Sequence, residues 1–457
     1  MIFNDFAFIF LFLPLTLAGF LVTPRTVRKP LLLAFSLVFY GLSGMEHVVV
    51  LAFCVAWVWA FTRTNRIVGS LPMLVGAITG PLIALFYYKY LGFFVRDVLH
   101  LPQAWLGSLG VVTDKLLPAG ISFFTFHLVA FAVDRFRGDI PEQPRPQHFA
   151  LYIAFFPHLV AGPILRYHDV VGSLANLDRF RPAEADYVKA IGYFSFGLGA
   201  KVLLADGLSE FVQPLSRTPD ALAPVAALYV TAAYSFQIYF DFYGYSLMAM
   251  GLAFLFGFDF PKNFDRPYES LNPKEFWRRW HMTLGTWIRD YLYFPLGGNR
   301  NYVRNILIVF TLCGLWHGAA FQFVVWGAYH GMLVAGYKAV APAWVRMPRL
   351  LQQVSTFALV SLGWILFLFD FTDAWRFAHS LLGLASTHGR VDGPQADAWG
   401  MLLVAALCCF LINPERLTDR WARSIRMPVL GGAAYAGLFL LAVLFIDRSK
   451  SFIYFRF

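Results

Sequence analysis

The sequence predicts an all-α, polytopic integral membrane protein, and three observations carry that prediction. Of 457 residues, 58% are hydrophobic and only 14% are charged, against roughly a quarter charged in soluble domains. The mean hydropathy is +0.59. Apolar runs long enough to cross a ~30 Å hydrocarbon core recur along the chain. They lie near residues 4–22, 31–61, 71–95, 119–133, 149–165, 188–212, 222–258, 303–340, 352–371, 399–412 and 428–446. Continuous runs of this kind read as helices, because a backbone in lipid has to satisfy its own hydrogen bonds.

Several runs hold more than one crossing, so about ten to thirteen membrane helices are expected. The first run starts Met1-Ile-Phe-Asn-Asp-Phe6. It lacks the basic n-region and small-residue cleavage site of a secretory signal and reads as a retained helix. Arg25, Arg28 and Lys29 follow it, whereas the next connection, around Ser43 to His47, carries no lysine or arginine. The positive-inside rule then places the N-terminus outside, and Arg63, Arg66, Arg135, Arg137 and Arg145 continue the alternation. Arg166, Arg179 and Arg181 fit an outside loop poorly. With the prolines at 157 and 163, they mark 149–165 as a run that does not cross cleanly. The region 303–340, broken by glycines and histidine, is a second candidate for re-entrant or interfacial structure. No internal repeat or long polar linker divides the chain. A single membrane domain over 1–457 is expected, ending in a short aromatic tail at 447–457.

Cys54, Cys313, Cys408 and Cys409 sit inside apolar runs without Cys-x-x-Cys spacing, which argues against zinc or a disulfide framework. They read as packing residues, and no metal is expected. The formal charge of +10 is spread over loops, so anionic membrane lipid, and not nucleic acid, is the expected partner.

Against this apolar background each histidine needs a reason, since an ionisable group at membrane depth costs a few kcal/mol and usually faces a cavity or a partner. The segment Glu275-Phe-Trp-Arg-Arg-Trp-His281-Met-Thr-Leu-Gly-Thr-Trp-Ile-Arg-Asp290 places Trp277, Trp280, Leu284, Trp287, Ile288 and Tyr291 on one stripe of a helix, with His281 at its edge. Arg278 and Arg289 flank His281 away from that stripe. Such a helix is too charged to span lipid and suits the interface or a protein cavity. A structural reading competes, in which the tryptophans anchor the helix and His281 bonds a neighbour.

His317, in Gly314-Leu-Trp316-His317-Gly318, has no charged residue between Arg304 and Lys338. An imidazole in such surroundings stays neutral and is available as a base. Gly314 and Gly318 would let another backbone or a thin ligand approach. The competing reading is a buried histidine bonded to a helix carbonyl. His158, in Phe156-Pro-His-Leu-Val-Ala-Gly-Pro163, lies in a broken segment able to line a cavity; His127 and His330 read as core histidines, and for Asp241 a helix-to-helix hydrogen bond and an active-site role account equally well. The C-terminus, Asp447-Arg-Ser-Lys-Ser-Phe-Ile-Tyr454-Phe-Arg-Phe457, packs four aromatics into its last six residues. Interfacial anchoring accounts for them. A phenol near a flexible end is also able to enter a cavity and accept an acyl group.

Taken together, Asp265-Arg-Pro-Tyr-Glu-Ser270, Glu275-Phe-Trp-Arg-Arg-Trp-His-Met-Thr-Leu284, Arg289-Asp-Tyr-Leu-Tyr-Phe-Pro-Leu-Gly-Gly298 and Gly314-Leu-Trp-His-Gly318 resemble the membrane-bound O-acyltransferase (MBOAT) family, in its alginate O-acetyltransferase-like branch. Leu117-Pro-Ala-Gly-Ile-Ser-Phe-Phe-Thr-Phe126 and Phe156-Pro-His-Leu-Val-Ala-Gly-Pro-Ile164 extend the likeness toward the N-terminus. The resemblance implies the family's fold, a ring of tilted helices around a thinned centre crossed by a tunnel. It implies catalytic roles for His317 as principal residue and His281 as its partner.

Acetyl-coenzyme A is the implied acyl donor, a substrate and not a tightly bound cofactor, with Arg278, Arg279, Arg289, Trp316 and His158 as candidate substrate contacts. The implied reaction is transfer of acetyl from the cytoplasm across the bacterial inner membrane for O-acetylation of an exported or cell-envelope polysaccharide, alginate-like in the first instance. Implied partners are a periplasmic acetyltransferase and polysaccharide biosynthesis proteins. The ending Phe-Ile-Tyr-Phe resembles that of a small partner peptide of the teichoic acid system, which makes Tyr454 a candidate built-in acyl carrier. The alternative from another class is a transporter or flippase that uses the buried histidines as a proton relay; a non-catalytic scaffold is the third.

Overall fold

The computed structural model describes residues 1–102, 116–384, 391–423, 428–450 and 452–453. Among them the secondary structure is helical throughout, apart from one isolated parallel bridge between Leu222 and Val391. Among the described residues five helices are long and apolar enough to cross a membrane: Met45–Thr62, Leu71–Val98, Glu184–Ser216, Pro224–Leu255 and Arg349–Leu368. The bent pair Ala396–Leu411 and Pro414–Ala422 makes a sixth if it forms one span, and Phe8–Val22 and Gly431–Leu444 are shorter apolar helices. In Leu71–Val98 only 22% of the apolar window is buried, and in Met45–Thr62 28%, so both present apolar faces suited to lipid.

The chain forms two compact units, Met1–Phe194 with Met248–Pro261, and Ser195–Leu247 with Lys262–Phe457. In the first, the helix Ile121–Arg137 is bounded by Gly120 and Gly138, both left-handed at φ 73° and 84°. Gly120 has a second constraint, because a Cβ there would lie 2.5 Å from the Leu159 carbonyl oxygen. The run 149–165 is broken as its prolines and flanking arginines predict. Pro146–Ala154 ends at Phe155, Pro157 opens the single turn Phe156–Leu159, and no helix continues through 160–166. His127 is fully buried, and its Nε2 accepts the Leu165 N–H at 3.0 Å. That is the core histidine its position predicts. His158 packs edge-on against His127 at 4.9 Å between ring centroids, with Phe155 and Phe260 around it.

The second unit takes residues 224–247 of α1 (Pro224–Leu255), followed by α2 (Pro273–Arg279), α3 (Met282–Ile288), α4 (Tyr302–His317), α5 (Phe321–Trp344) and α6 (Arg349–Leu368). Asn272 caps α2 by accepting the Glu275 N–H at 2.8 Å, with Pro273 in the first turn where no donor is lost. Helices α4 and α5 meet backbone to backbone. A Cβ on Gly314 would lie 2.0 Å from the Phe323 carbonyl oxygen, and one on Gly327 2.2 Å from that of Phe310. The close approach that Gly314 allows is therefore to another helix. Trp280, Trp326 and Trp364 are nearly inaccessible and form the centre of an aromatic core with Phe276, Tyr268 and Phe367.

Candidate functional site

The periodicity of 275–291 predicts one continuous helix, and the structure corrects this. The helix stops at Arg279, and His281 adopts a left-handed conformation (φ 44°, ψ 55°) before α3 begins at Met282. A non-glycine residue there carries about 1–2 kcal/mol of local strain, which other contacts have to offset. The segment after α1 supplies them. Met282 N–H donates to the Asn263 carbonyl at 2.9 Å and Asp265 N–H to the Arg279 carbonyl at 3.0 Å, bridging the break from both sides. The expected stripe consequently splits. Trp280 turns into the aromatic core against Trp364 at 4.7 Å, while Trp277 meets Phe310, Trp326 and His330.

The break sets the orientation and the tautomer of His281. Asn263 Oδ1 accepts the Thr283 backbone N–H and, at 2.7 Å, the Thr283 hydroxyl, so this atom is an acceptor. His281 Nδ1, 3.1 Å from it, therefore carries the proton, and Asn263 Nδ2 is steadied by Ser246 Oγ at 3.2 Å. Nε2 is left as a buried lone pair without a hydrogen-bond partner among the described residues. His281 lies outside the long apolar spans, and burial pushes its imidazole down to about 3, so it is neutral at physiological pH. Asn263 was not among the residues singled out from sequence. Its cue is a polar residue at the exit of an apolar run, a weak signal, because the contact it makes is 18 residues away.

His281 lines a cavity of about 380 Å³ whose walls grade from exposed cations to buried aromatics. Lys274, Arg278 and Arg289 are exposed, whereas Trp280 and Cys313 are buried, and Ile306, Val309 and Phe310 supply apolar wall between them. Arg289 is held by Asp290 through two contacts of 2.7 and 3.0 Å. Arg279 is paired with Glu275 at 2.7 Å and is absent from the cavity lining. Among the arginines proposed as substrate contacts, Arg278 and Arg289 line the cavity.

His317 ends α4, one turn after Cys313. It is 4% exposed, and its ring meets Trp316, Trp326 and Phe367 at 4.8, 5.2 and 5.3 Å between centroids. Trp316 also lies 6.3 Å from the His281 ring, so one indole neighbours both imidazoles. Phe242 closes the other side of His281 edge-on at 4.7 Å. The structure thus gathers His281, His317, Trp316 and Arg278 in the second unit. His158 belongs to the first unit, enclosed as described, and Tyr454 lies outside the described residues. The four cysteines are free thiols, and Cys313 has the added place in the cavity wall.

The fold and the site define a helical, multi-pass membrane protein with a histidine-bearing internal cavity. Comparison with known proteins makes this specific. The model of the membrane-bound O-acyltransferase family matches residues 70–373, and the chain belongs to that family. The chain is 38% identical to the probable alginate O-acetylase of Azotobacter vinelandii over 82% of this chain and 77% of that protein. It is 36% identical to the corresponding protein of Pseudomonas aeruginosa, over 84% and 76% of the two chains. It is 31% identical to the peptidoglycan O-acetyltransferase of Helicobacter pylori, over 80% and 77%. The protein is an acyltransferase.

The placement of Asn263 predicts a specific defect. Asn263→Ala removes the acceptor that fixes Nδ1–H and frees the His281 ring to change tautomer; given the catalytic role expected for His281, the cost is about 10–100-fold in turnover, the range for groups that orient metal-ligating histidines. The check is the initial rate of acyl transfer, with the amount of folded protein confirmed by size-exclusion chromatography.

Proposed function

We propose that this enzyme transfers an acetyl group from cytoplasmic acetyl-coenzyme A, across the inner membrane, for O-acetylation of an exported polysaccharide, with an alginate-like polymer as the leading acceptor. The observation that carries the reading is one cavity lined both by the exposed cations Lys274, Arg278 and Arg289 and by the buried His281. Arg278 and Lys274 suit the phosphates of the donor, the apolar wall suits its pantetheine arm, and the thioester would then arrive beside His281, whose neighbour Trp316 also packs on His317.

Because Nδ1–H is taken by Asn263, neutral His281 offers a lone pair and not a proton. It is suited to accept an amide N–H of the pantetheine arm and so to position the donor. His317 acts as the base. It takes the proton of the acceptor hydroxyl as that oxygen attacks the thioester carbonyl carbon, and the tetrahedral intermediate collapses by expelling the thiolate of coenzyme A. The thiolate then receives the proton from His317, which returns to the neutral state. The acceptor hydroxyl is the phenol of Tyr454, which would hand the acetyl group to a periplasmic acetyltransferase acting with the polysaccharide biosynthesis machinery.

The donor-binding half of this reading is tested by Arg278→Ala. Loss of one charge-assisted phosphate contact is expected to raise KM for acetyl-coenzyme A about tenfold with kcat little changed. An unchanged KM would remove the donor from this cavity.

A further inference from the structure

The second unit also holds a buried ion cluster that the chemistry above does not use. Lys201 Nζ lies 2.7 Å from Asp206 Oδ1 and 2.7 Å from Asp241 Oδ1, and the three side chains are 3%, 6% and 2% exposed. Each carboxylate therefore gives one oxygen to Lys201. The other oxygen accepts from the C-terminal tail. The Ser449 hydroxyl donates to Asp206 Oδ2 at 2.9 Å, and the Ile453 N–H donates to Asp241 Oδ2 at 2.8 Å. Lys450 Nζ donates to Ser209 Oγ at 3.0 Å and lines, with Lys201, Asp206, Gln237 and Asp241, a polar pocket of about 170 Å³.

Among the contacts described, two carboxylates share one ammonium, and buried negative charge is costly unless further cations or donors offset it. Lys450 brings a cation from the tail into the same pocket, so docking of the tail adds to the charge balance of the cluster. The consequence reaches the histidines. Phe452, 2% exposed, stacks on Tyr245 at 5.0 Å and touches Phe242 at 5.6 Å, and Phe242 is the ring set edge-on to His281. Phe367 lines the polar pocket and meets His317.

We propose that Lys201, Asp206 and Asp241 form a clamp for the chain's own C-terminal tail, completed by Lys450, and that the clamped tail braces the histidine site through Phe452 and Phe242. The three clamp residues are positioning residues. The clamp itself stands on the contacts above, whereas its effect on turnover rests on the acetyl-transfer reading.

The test follows hydrogen exchange of the tail peptide in the full-length protein in lipid nanodiscs. Lys450→Met and Asp206→Asn each unbalance the cluster by one charge, in opposite senses. Each is expected to speed exchange of the tail about tenfold, with the pattern elsewhere unchanged. The double variant restores neutrality, and the amide oxygen placed at position 206 can still accept from Ser449, so tail exchange is expected to return close to the wild-type rate. Tail protection unchanged in the single variants, or a double variant as fast as they are, overturns the clamp. Coenzyme A release measured on the same samples should fall and recover in parallel. A freed tail with undiminished release overturns the bracing of the site. If the wild type itself releases no coenzyme A, the acetyl-transfer reading fails while the exchange data still decide the clamp.

Discussion

His317→Ala is expected to lower O-acetylation of the exported polymer by about 10²–10⁴-fold in cells where the variant is the sole copy, the range that follows loss of a general base. The same substitution removes a buried ring that packs on Trp316, Trp326 and Phe367, so a stability defect could imitate a chemical one. His317→Gln separates the two. It keeps most of the volume and a polar end but cannot take up a proton at neutral pH, so it should lose activity as fully as alanine while reaching the membrane at the wild-type level. Polymer acetylation near normal in the glutamine variant would show that His317 serves packing and that the base lies elsewhere. His281 is then the next candidate, since it lines the cavity and its buried Nε2 has no hydrogen-bond partner among the described residues.

The second large effect is expected at Tyr454. Tyr454→Phe removes a single oxygen, the one that would carry the acetyl group, and is expected to abolish polymer acetylation without loss of folded protein. Ser449, Lys450, Phe452 and Ile453 hold the preceding chain, so the substitution leaves the anchor of the tail intact. Acetyl content of the polymer and an acetylated C-terminal peptide, found in the wild type and missing in the variant, are the two readouts. Normal acetylation by Tyr454→Phe sinks the relay and makes the acceptor hydroxyl one supplied directly by the polymer or a partner.

Much of the architecture could be read from residue chemistry, and the failures have definite causes. The prolines at 157 and 163 and the arginines that follow foretold a broken segment over 149–165, because a missing N–H and a fixed φ act locally. Gly314 foretold close approach for the same kind of reason. The tryptophan stripe misled because periodicity presumes unbroken helical φ and ψ. The reversal at His281 is imposed by hydrogen bonds that Asn263 accepts and Asp265 donates, and no window centred on 275–291 contains either residue. Lys201 and Asp241 were likewise invisible as a pair, being joined across 40 residues by tertiary packing alone. Asp241 reads from sequence equally as a helix-to-helix partner or an active-site residue and is found in the first role, with the tail as a further partner. Contacts of the tail are seen at Ser449, Lys450, Phe452 and Ile453, while the phenol of Tyr454 lies outside the described residues.

The central claim is that this membrane acyltransferase draws on acetyl-coenzyme A and uses His317 as the base. Its most direct test is thiol release from acetyl-coenzyme A by purified protein in proteoliposomes, read beside the internal pH. The account predicts release by the wild type that falls by at least about 10²-fold in His317→Gln, with no histidine-dependent change of internal pH in the absence of donor. Release that persists in His317→Gln, or proton movement that needs the histidines and no donor, would contradict it and favour a proton-relay transporter.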